Sequence, residues 1–302
     1  MMVLSRSIRR TLKDLAKSFT FTGTKRKGIS AIKTSSAETL AETPPAKTLR
    51  EGNAEITARA LKIRTFKMEV YERLASTTIL SKLTPLLAES RVAIDVGGNV
   101  GHIAYFLSQH VEQVYTFEAV DAVFEQLKKV TELAPNVIPQ KCAISDFCGE
   151  ADFFVDHNRL SNSGLHNVGE VEVSFKPKTE FKTKKSTVKS IDSLGIEDVG
   201  FIKIDVEGSE LDVLKGAVNT IAKYHPDLLV EIFEPFCKNP PREIFEFCQS
   251  HGYVCYYFDS QTSGLQKIDT IEACLDAVAT KHHLHDGDFL FTRKQLAMQA
   301  AA

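Results

Sequence analysis

The stretch Arg91-Val92-Ala93-Ile94-Asp95-Val96-Gly97-Gly98-Asn99-Val100-Gly101 constrains the fold more than any other part of this chain. Its apolar start predicts a short strand covered on both faces, as in a parallel sheet. Gly97, Gly98 and Gly101 then allow a tight turn in which backbone approaches a ligand with no Cβ in the way. Asn99 stands where it can cap the helix predicted to open at Gly101. A second strand, 113–117, ends at Glu118, where an acid can accept hydrogen bonds from ribose hydroxyls. Strand, glycine turn, helix, strand and acid together point to an adenosine-containing cofactor.

The spacing separates two cofactors. A dinucleotide fingerprint is G-x-G-x-x-G, with the pyrophosphate on the helix N-terminus. Here the turn reads Gly-Gly-Asn-Val-Gly, and Asp95 stands two residues before its first glycine. A carboxylate at that point repels a pyrophosphate and suits S-adenosylmethionine, whose reactive end carries an ammonium and a sulfonium. The plain alternative is a strand-turn-helix corner whose glycines serve packing alone.

The rest of the chain extends the first unit into a sheet. Strands are predicted at 92–96, 113–117, 137–142, 200–205, 227–233, 253–258 and 288–292. Helices are predicted at 100–109, 121–133, 209–223, 241–250 and 270–279, with a hairpin built from 151–155 and 186–188. This alternation is that of a doubly wound α/β sheet. From Glu55 to Ser90 the spacing of Ile56, Ile63, Phe66, Val70, Leu80, Leu83 and Leu87 predicts helices packed on it as an N-terminal cap over 51–90. The domain itself is expected over 91–294, with a short tail over 295–302.

The first fifty residues have another character. Arg6, Arg9, Arg10, Lys13 and Lys17 precede a stretch of Ser, Thr, Lys, Ala and Pro, and Leu4, Ile8, Leu12, Leu15 and Phe19 share one helical face. The expectation is a disordered basic arm, with peripheral membrane contact or organelle targeting as the sharper reading. With 37 Lys and Arg against 39 Asp and Glu, the chain lacks the basic excess of a nucleic-acid binder. No apolar run reaches the length of a membrane span. Six cysteines without a C-x-x-C pair read as reduced thiols of a cytoplasmic protein. Nothing in the sequence fixes an oligomeric state.

A second block sharpens the reading. Phe201-Ile202-Lys203-Ile204-Asp205-Val206-Glu207-Gly208-Ser209-Glu210 is another strand ending in an acidic turn. With I-D-V-G-G-N-V-G at 94–101, F-E at 117–118, C-A-I-S-D at 142–146, S-I-D-S-L at 190–194 and L-L-V-E-I at 228–232, the chain resembles the FkbM family of S-adenosylmethionine-dependent methyltransferases. The resemblance runs over roughly residues 90–293, and 201–210 is its most specific part. Ala119 replaces the family's usual proline, Val120-Asp121 is atypical, and Gly98 stands where alanine is common. The resemblance implies a Rossmann-like class I methyltransferase sheet whose last strand runs antiparallel.

Ligands of open α/β sheets sit at the carboxyl ends of the strands. Asp95, Gly97, Gly98, Asn99 and Gly101 are therefore expected to hold the methionine portion of the cofactor and Glu118 its ribose. The resemblance implies that the edge from Ala143 to Ser145 faces the adenine. Glu231 lies near such an end too. Asp205 and Glu207 are expected either to act as general base toward a hydroxyl or to hold a divalent metal that orients it. Glu210 reads better as a first-turn carboxylate of the next helix. The polar loop 158–167, with His166, suits an active-site lid, and the histidines at 282, 283 and 285 suit a solvated loop. The acceptor is expected to be a small molecule, sugar or glycolipid. An NAD-dependent oxidoreductase and a non-catalytic cofactor-binding module are the competing readings.

Overall fold

The structure, a computed structural model, describes residues 78–156, 160–169, 171, 181–259, 264–281 and 287–296. The basic arm, the cap before residue 78, Asn158, Arg159 and the histidines at 282–285 lie outside the described residues.

Helix α1 (Thr78–Leu87) leads into β1 (Val92–Val96), α2 (His102–Ser108), β2 (Gln113–Phe117), α3 (Asp121–Leu127) and β3 (Val137–Gln140). Short β4 (Ala143–Ile144), β5 (Gly149–Asp156) and β6 (Phe181–Lys189) follow. The chain then runs through β7 (Val199–Ile204), α4 (Glu210–Lys215), α5 (Val218–Tyr224), β8 (Asp227–Glu231) and α6 (Pro241–Ser250). It ends in β9 (Val254–Asp259), β10 (Gly264–Ile268), α7 (Ile271–Lys281) and β11 (Asp288–Thr292).

Eight strands form one sheet in the order β10-β9-β11-β8-β7-β1-β2-β3. Neighbours from β8 to β3 are parallel, and β11 runs antiparallel to both β8 and β9. The chain leaves β1 outward through β2 and β3, then returns to the other side of β1 with β7 and β8. That reversal puts the crevice of the sheet at the carboxyl ends of β1 and β7. A second sheet, β4-β6-β5, carries the expected hairpin.

Alternation along the strands builds two cores. Ala93, Val114, Phe201, Leu229 and Leu290 face one side, in one cluster with Leu83 and Leu87 of α1 and Leu107 of α2. Ile94, Ile202, Ile204, Val230 and Phe289 face the other, in one cluster with Leu211, Ile221, Ile244 and Phe245 of the later helices.

Several boundaries differ from the sequence expectation for local reasons. The helix expected over 121–133 tightens into a 3-10 turn at Lys128–Glu132. The strand expected to reach 142 stops at Gln140, and Ala143 joins β6 instead. The helix expected over 209–223 is two helices. At their joint Gly216 leaves no room for a side chain, since a Cβ would run into the Ser145 carbonyl. The Asp192 carboxylate then caps the second helix, accepting the N–H groups of Asn219 and Thr220, each at 2.9 Å. Strand β10 was not expected, because at the sheet edge it carries a mixed sequence, Gly-Leu-Gln-Lys-Ile.

Candidate active site

The glycine turn follows β1 and lies over the core. Gly97 has φ +79°, and a Cβ there would run into the backbone carbonyl of Asp205. At Gly98 and Gly101 a Cβ would meet Thr116 Oγ1 and Val130 respectively. These glycines are thus required by close packing of the turn on β2, β7 and the 3-10 turn. The α2 cap position belongs to Gly101, not to Asn99. Asn99 is left-handed, with φ +47°, and its Oδ1 accepts the N–H of Val100 at 2.7 Å.

Glu118 braces this turn. Its carboxylate accepts the N–H of Asn99 at 3.1 Å and that of Val120 at 2.7 Å. Burial pushes the carboxyl above its ordinary range, and the backbone donors oppose that push. Ala143 shares a small apolar cluster with Ala119, Val120 and, at its margin, Val100, next to Glu118. Ser145, two residues on, is buried: its N–H donates to the Lys189 carbonyl, and its own carbonyl abuts Gly216.

Asp95 is completely buried under the turn rather than presented on its open side. Thr116 Oγ1 donates to its Oδ2 at 3.0 Å, and Lys203 Nζ lies 3.9 Å from its Oδ1. That Oδ1 has no hydrogen-bond partner. Burial raises the carboxyl, opposed by Lys203 and Thr116.

Strand register extends this pair into a row. Asp95 lies opposite Thr116 on one side and Lys203 on the other. Alternation puts Asp205 and Glu231 on the same face, and Glu231 lies opposite Asp288. Thr116, Asp95, Lys203, Asp205, Glu231 and Asp288 thus form a polar row across the strand ends. Lys203 Nζ donates to Asp205 Oδ2 at 2.8 Å. Burial disfavours the Lys203 charge, but Asp205 and Asp95 outweigh it and hold the ammonium ionised.

Asp205 and Glu231 are hydrogen-bonded to each other. The negative charge of Asp205, with burial, holds the Glu231 carboxyl well above its ordinary range. Burial also works against the Asp205 charge, yet Lys203 and the Glu231 proton keep Asp205 below its ordinary value. The two titrate as a coupled pair, in which Glu231 is driven toward its protonated form and Asp205 toward its charged one.

Glu207 stands in the turn after β7 with φ +57°, a backbone conformation uncommon for a residue with a side chain. The described part of the polar loop packs on this turn: a Cβ at Gly164 would come 2.9 Å from the Val206 carbonyl. His166 lies beside Gly208. Burial and the nearby Lys238 lower its pKa, with Asp212 opposing them. Glu210 Oε1 accepts the Gly208 N–H at 2.8 Å, while its buried Oε2 has no partner. Burial pushes this carboxyl up to about 7. Among the described residues, no group of three or more His, Cys, Asp or Glu side chains is arranged to hold a metal ion.

Sequence reasoning gave Lys203 no role. Its signal was a cation inside an otherwise apolar strand, Phe-Ile-Lys-Ile, which only pairing can keep buried.

The chain is 32% identical over 134 residues to the hexuronic acid methyltransferase AglP of Haloferax volcanii, covering 44% of this chain and 52% of that protein. The chain thus spans about half the length of this curated relative. Among solved structures, methyltransferase FkbM from Methylobacillus flagellatus aligns at 18% identity and a TM-score of 0.43, covering 67% of this chain and 44% of that one. A precorrin-6y C5,15-methyltransferase from Geobacter metallireducens aligns at 9% identity and a TM-score of 0.35, covering 70% and 84%. The family described as the methyltransferase FkbM domain matches residues 95–255, just over half of the chain. With that match, the chain belongs to the FkbM methyltransferase family.

Proposed function

We propose that this methyltransferase moves the methyl group of S-adenosylmethionine to a hydroxyl oxygen of a small molecule, a sugar or a glycolipid. The observation that carries the reading is the placement of the paired carboxyls Asp205 and Glu231 at the strand ends, where Asp205 backs the glycine turn at Gly97 and is held at 2.8 Å by Lys203. The surroundings fit a cationic cofactor. Asp95, Asp205, Glu231 and Asp288 stand in one row with Lys203 as its cation, so the row favours positive charge over a pyrophosphate. Each Glu118 oxygen takes one backbone N–H. A carboxylate has about four acceptor sites, so capacity remains for ribose hydroxyls.

Asn99, Gly101 and Glu118 would line the cofactor, with Ala143 at the adenine side and Asp95 acting from beneath the turn. When bound, the cofactor supplies an electrophilic methyl group that needs little further activation. The residues of this chain then align the acceptor and take its proton. A neutral alcohol is a poor nucleophile and must lose its proton as the new bond forms. Asp205, with Glu207 in the same turn, is the group proposed to accept it, and the loop around Gly164 and His166 closes that side. A sugar acceptor is in keeping with the hexuronic acid named for the Haloferax volcanii relative.

Calorimetry of the chain with S-adenosylmethionine and with NAD tests the cofactor. Binding of NAD alone would sink the proposal. Extracts and a panel of sugars supplied with labelled methyl donor test the acceptor: label in a base-stable ether is expected. Binding without any transfer would favour a cofactor-binding module.

A further inference from the structure

A lysine inside a buried strand is costly unless its charge is matched. Lys203 is only 5% exposed. Its ammonium reaches Asp205 at 2.8 Å and the Gly97 carbonyl at 3.4 Å, and it faces Asp95 at 3.9 Å. One side chain therefore touches the floor of the glycine turn and the carboxylate at the end of the neighbouring strand. Asp205 is also faced by Glu231 on β8 and by Glu210 of α4, and Glu231 is faced in turn by Glu207 and by Asp288 on β11. Lys203 is the cation that balances these acids.

We propose that Lys203 is a positioning residue of the methyltransferase site, an ammonium bridge that ties the turn at Gly97 and Asp95 to Asp205 and holds that carboxylate in place against Glu231. The proposal rests on the reading of Asp205 as proton acceptor given above. Without Lys203, two neighbouring carboxyls and the buried Asp95 would compete for protons with no cation among them. The side chain would then both orient Asp205 and keep it charged.

Full-length chain labelled with carbon-13 at the Asp and Glu carboxyls is titrated by NMR, with Asp205→Asn identifying the Asp205 signal. Lys203→Met is expected to raise the Asp205 midpoint by about one pH unit or more, as loss of a close opposite charge does. Lys203→Arg is expected to restore most of the wild-type midpoint. A general loosening of the fold would shift backbone amide signals throughout the chain, and loss of Asp205 positioning would shift only those around the turn. Lys203→Met leaves Asp95 buried without its counter-charge, so Asp95→Asn/Lys203→Met is measured beside it and should show the same rise. An unmoved Asp205 midpoint in either folded variant overturns the proposal. Binding of S-adenosylmethionine by the same samples separates the two ideas. A wild-type chain that fails to bind it sinks the proposed cofactor, whatever Asp205 does. A chain that binds it while Lys203→Met leaves the midpoint in place sinks the role of Lys203 alone.

Discussion

Glu118 holds Asn99 from across the crevice: the carboxylate at the end of β2 accepts the backbone N–H of the left-handed residue in the turn after β1. Its other oxygen takes the N–H of Val120, which begins the approach to α3. One side chain thus ties together two loops that also meet where Val100 packs on Ala119 and Val120. The acid expected to meet a ribose is also a strut of the pocket that would receive it.

Glu118→Ala should therefore do two things. Two backbone donors lose a charged acceptor, so the chain should lose about 1–3 kcal/mol of stability in denaturant unfolding. S-adenosylmethionine binding should weaken by about 1.5–3 kcal/mol, read by calorimetry. Unchanged stability with weakened binding would leave only the ribose role, and the reverse would leave only the strut.

Gly97→Ala tests the turn from inside. A single methyl would collide with the Asp205 carbonyl in a backbone conformation that L residues rarely adopt. The expected loss is about 2–4 kcal/mol of stability. Gly97→Val should fail to accumulate as folded protein, so loss of cofactor binding in that variant would report the fold. A Gly97→Ala chain that melts like wild type would show that the turn can shift away from β7.

The architecture was legible because its signals are local. Buried strands such as Val92–Val96 and Asp288–Thr292 are short apolar runs between polar turns, and α6 begins at its proline as the sequence suggests. The site was legible only as a set of strand ends. Which acids touch depends on register between strands far apart in sequence. Asp95 meets Lys203 across 108 positions because β7 returns beside β1. Whether a glycine faces a ligand or a carbonyl is likewise set by packing. The spacing of the turn glycines is the same in both cases, and only the fold brings Asp205 against Gly97.

Glu210 should make stability depend on pH. Its folded-state value of about 7 lies above the ordinary 4.5, so the folded chain keeps a proton that the unfolded chain has lost. The contribution is fully present below about pH 4.5 and is lost as pH rises through about 7. Glu210→Gln removes that dependence, since an amide keeps an acceptor for Gly208 and never ionises. The stability of Glu210→Gln relative to wild type should rise by about 2–3 kcal/mol between about pH 5 and pH 8. A difference that stays flat across that range would mean that Glu210 ionises as freely as in solution.

The acidic turn carries the last prediction, because the proposed chemistry stands or falls there. Asp205→Asn removes the charge that would take the acceptor's proton, while Lys203 still faces Asp95. Glu231→Gln keeps a donor toward Asp205 but can no longer exchange a proton with it. Glu207→Gln changes a residue whose left-handed backbone fixes its place near Gly164. All three variants should keep most of their S-adenosylmethionine affinity, since the strut at Glu118 and the buried Asp95 are untouched and only one acid of the row changes in each. Asp205→Asn or Glu207→Gln should lose roughly a hundredfold or more in release of S-adenosylhomocysteine with the identified acceptor. Glu231→Gln should instead alter the pH profile, because the pair loses its exchangeable proton. Activity lost to a chelator and restored by magnesium or manganese would turn these carboxylates into metal ligands. If all three variants turn over like wild type, the proton leaves by another route, and His166 beside Gly208 is the next group to change.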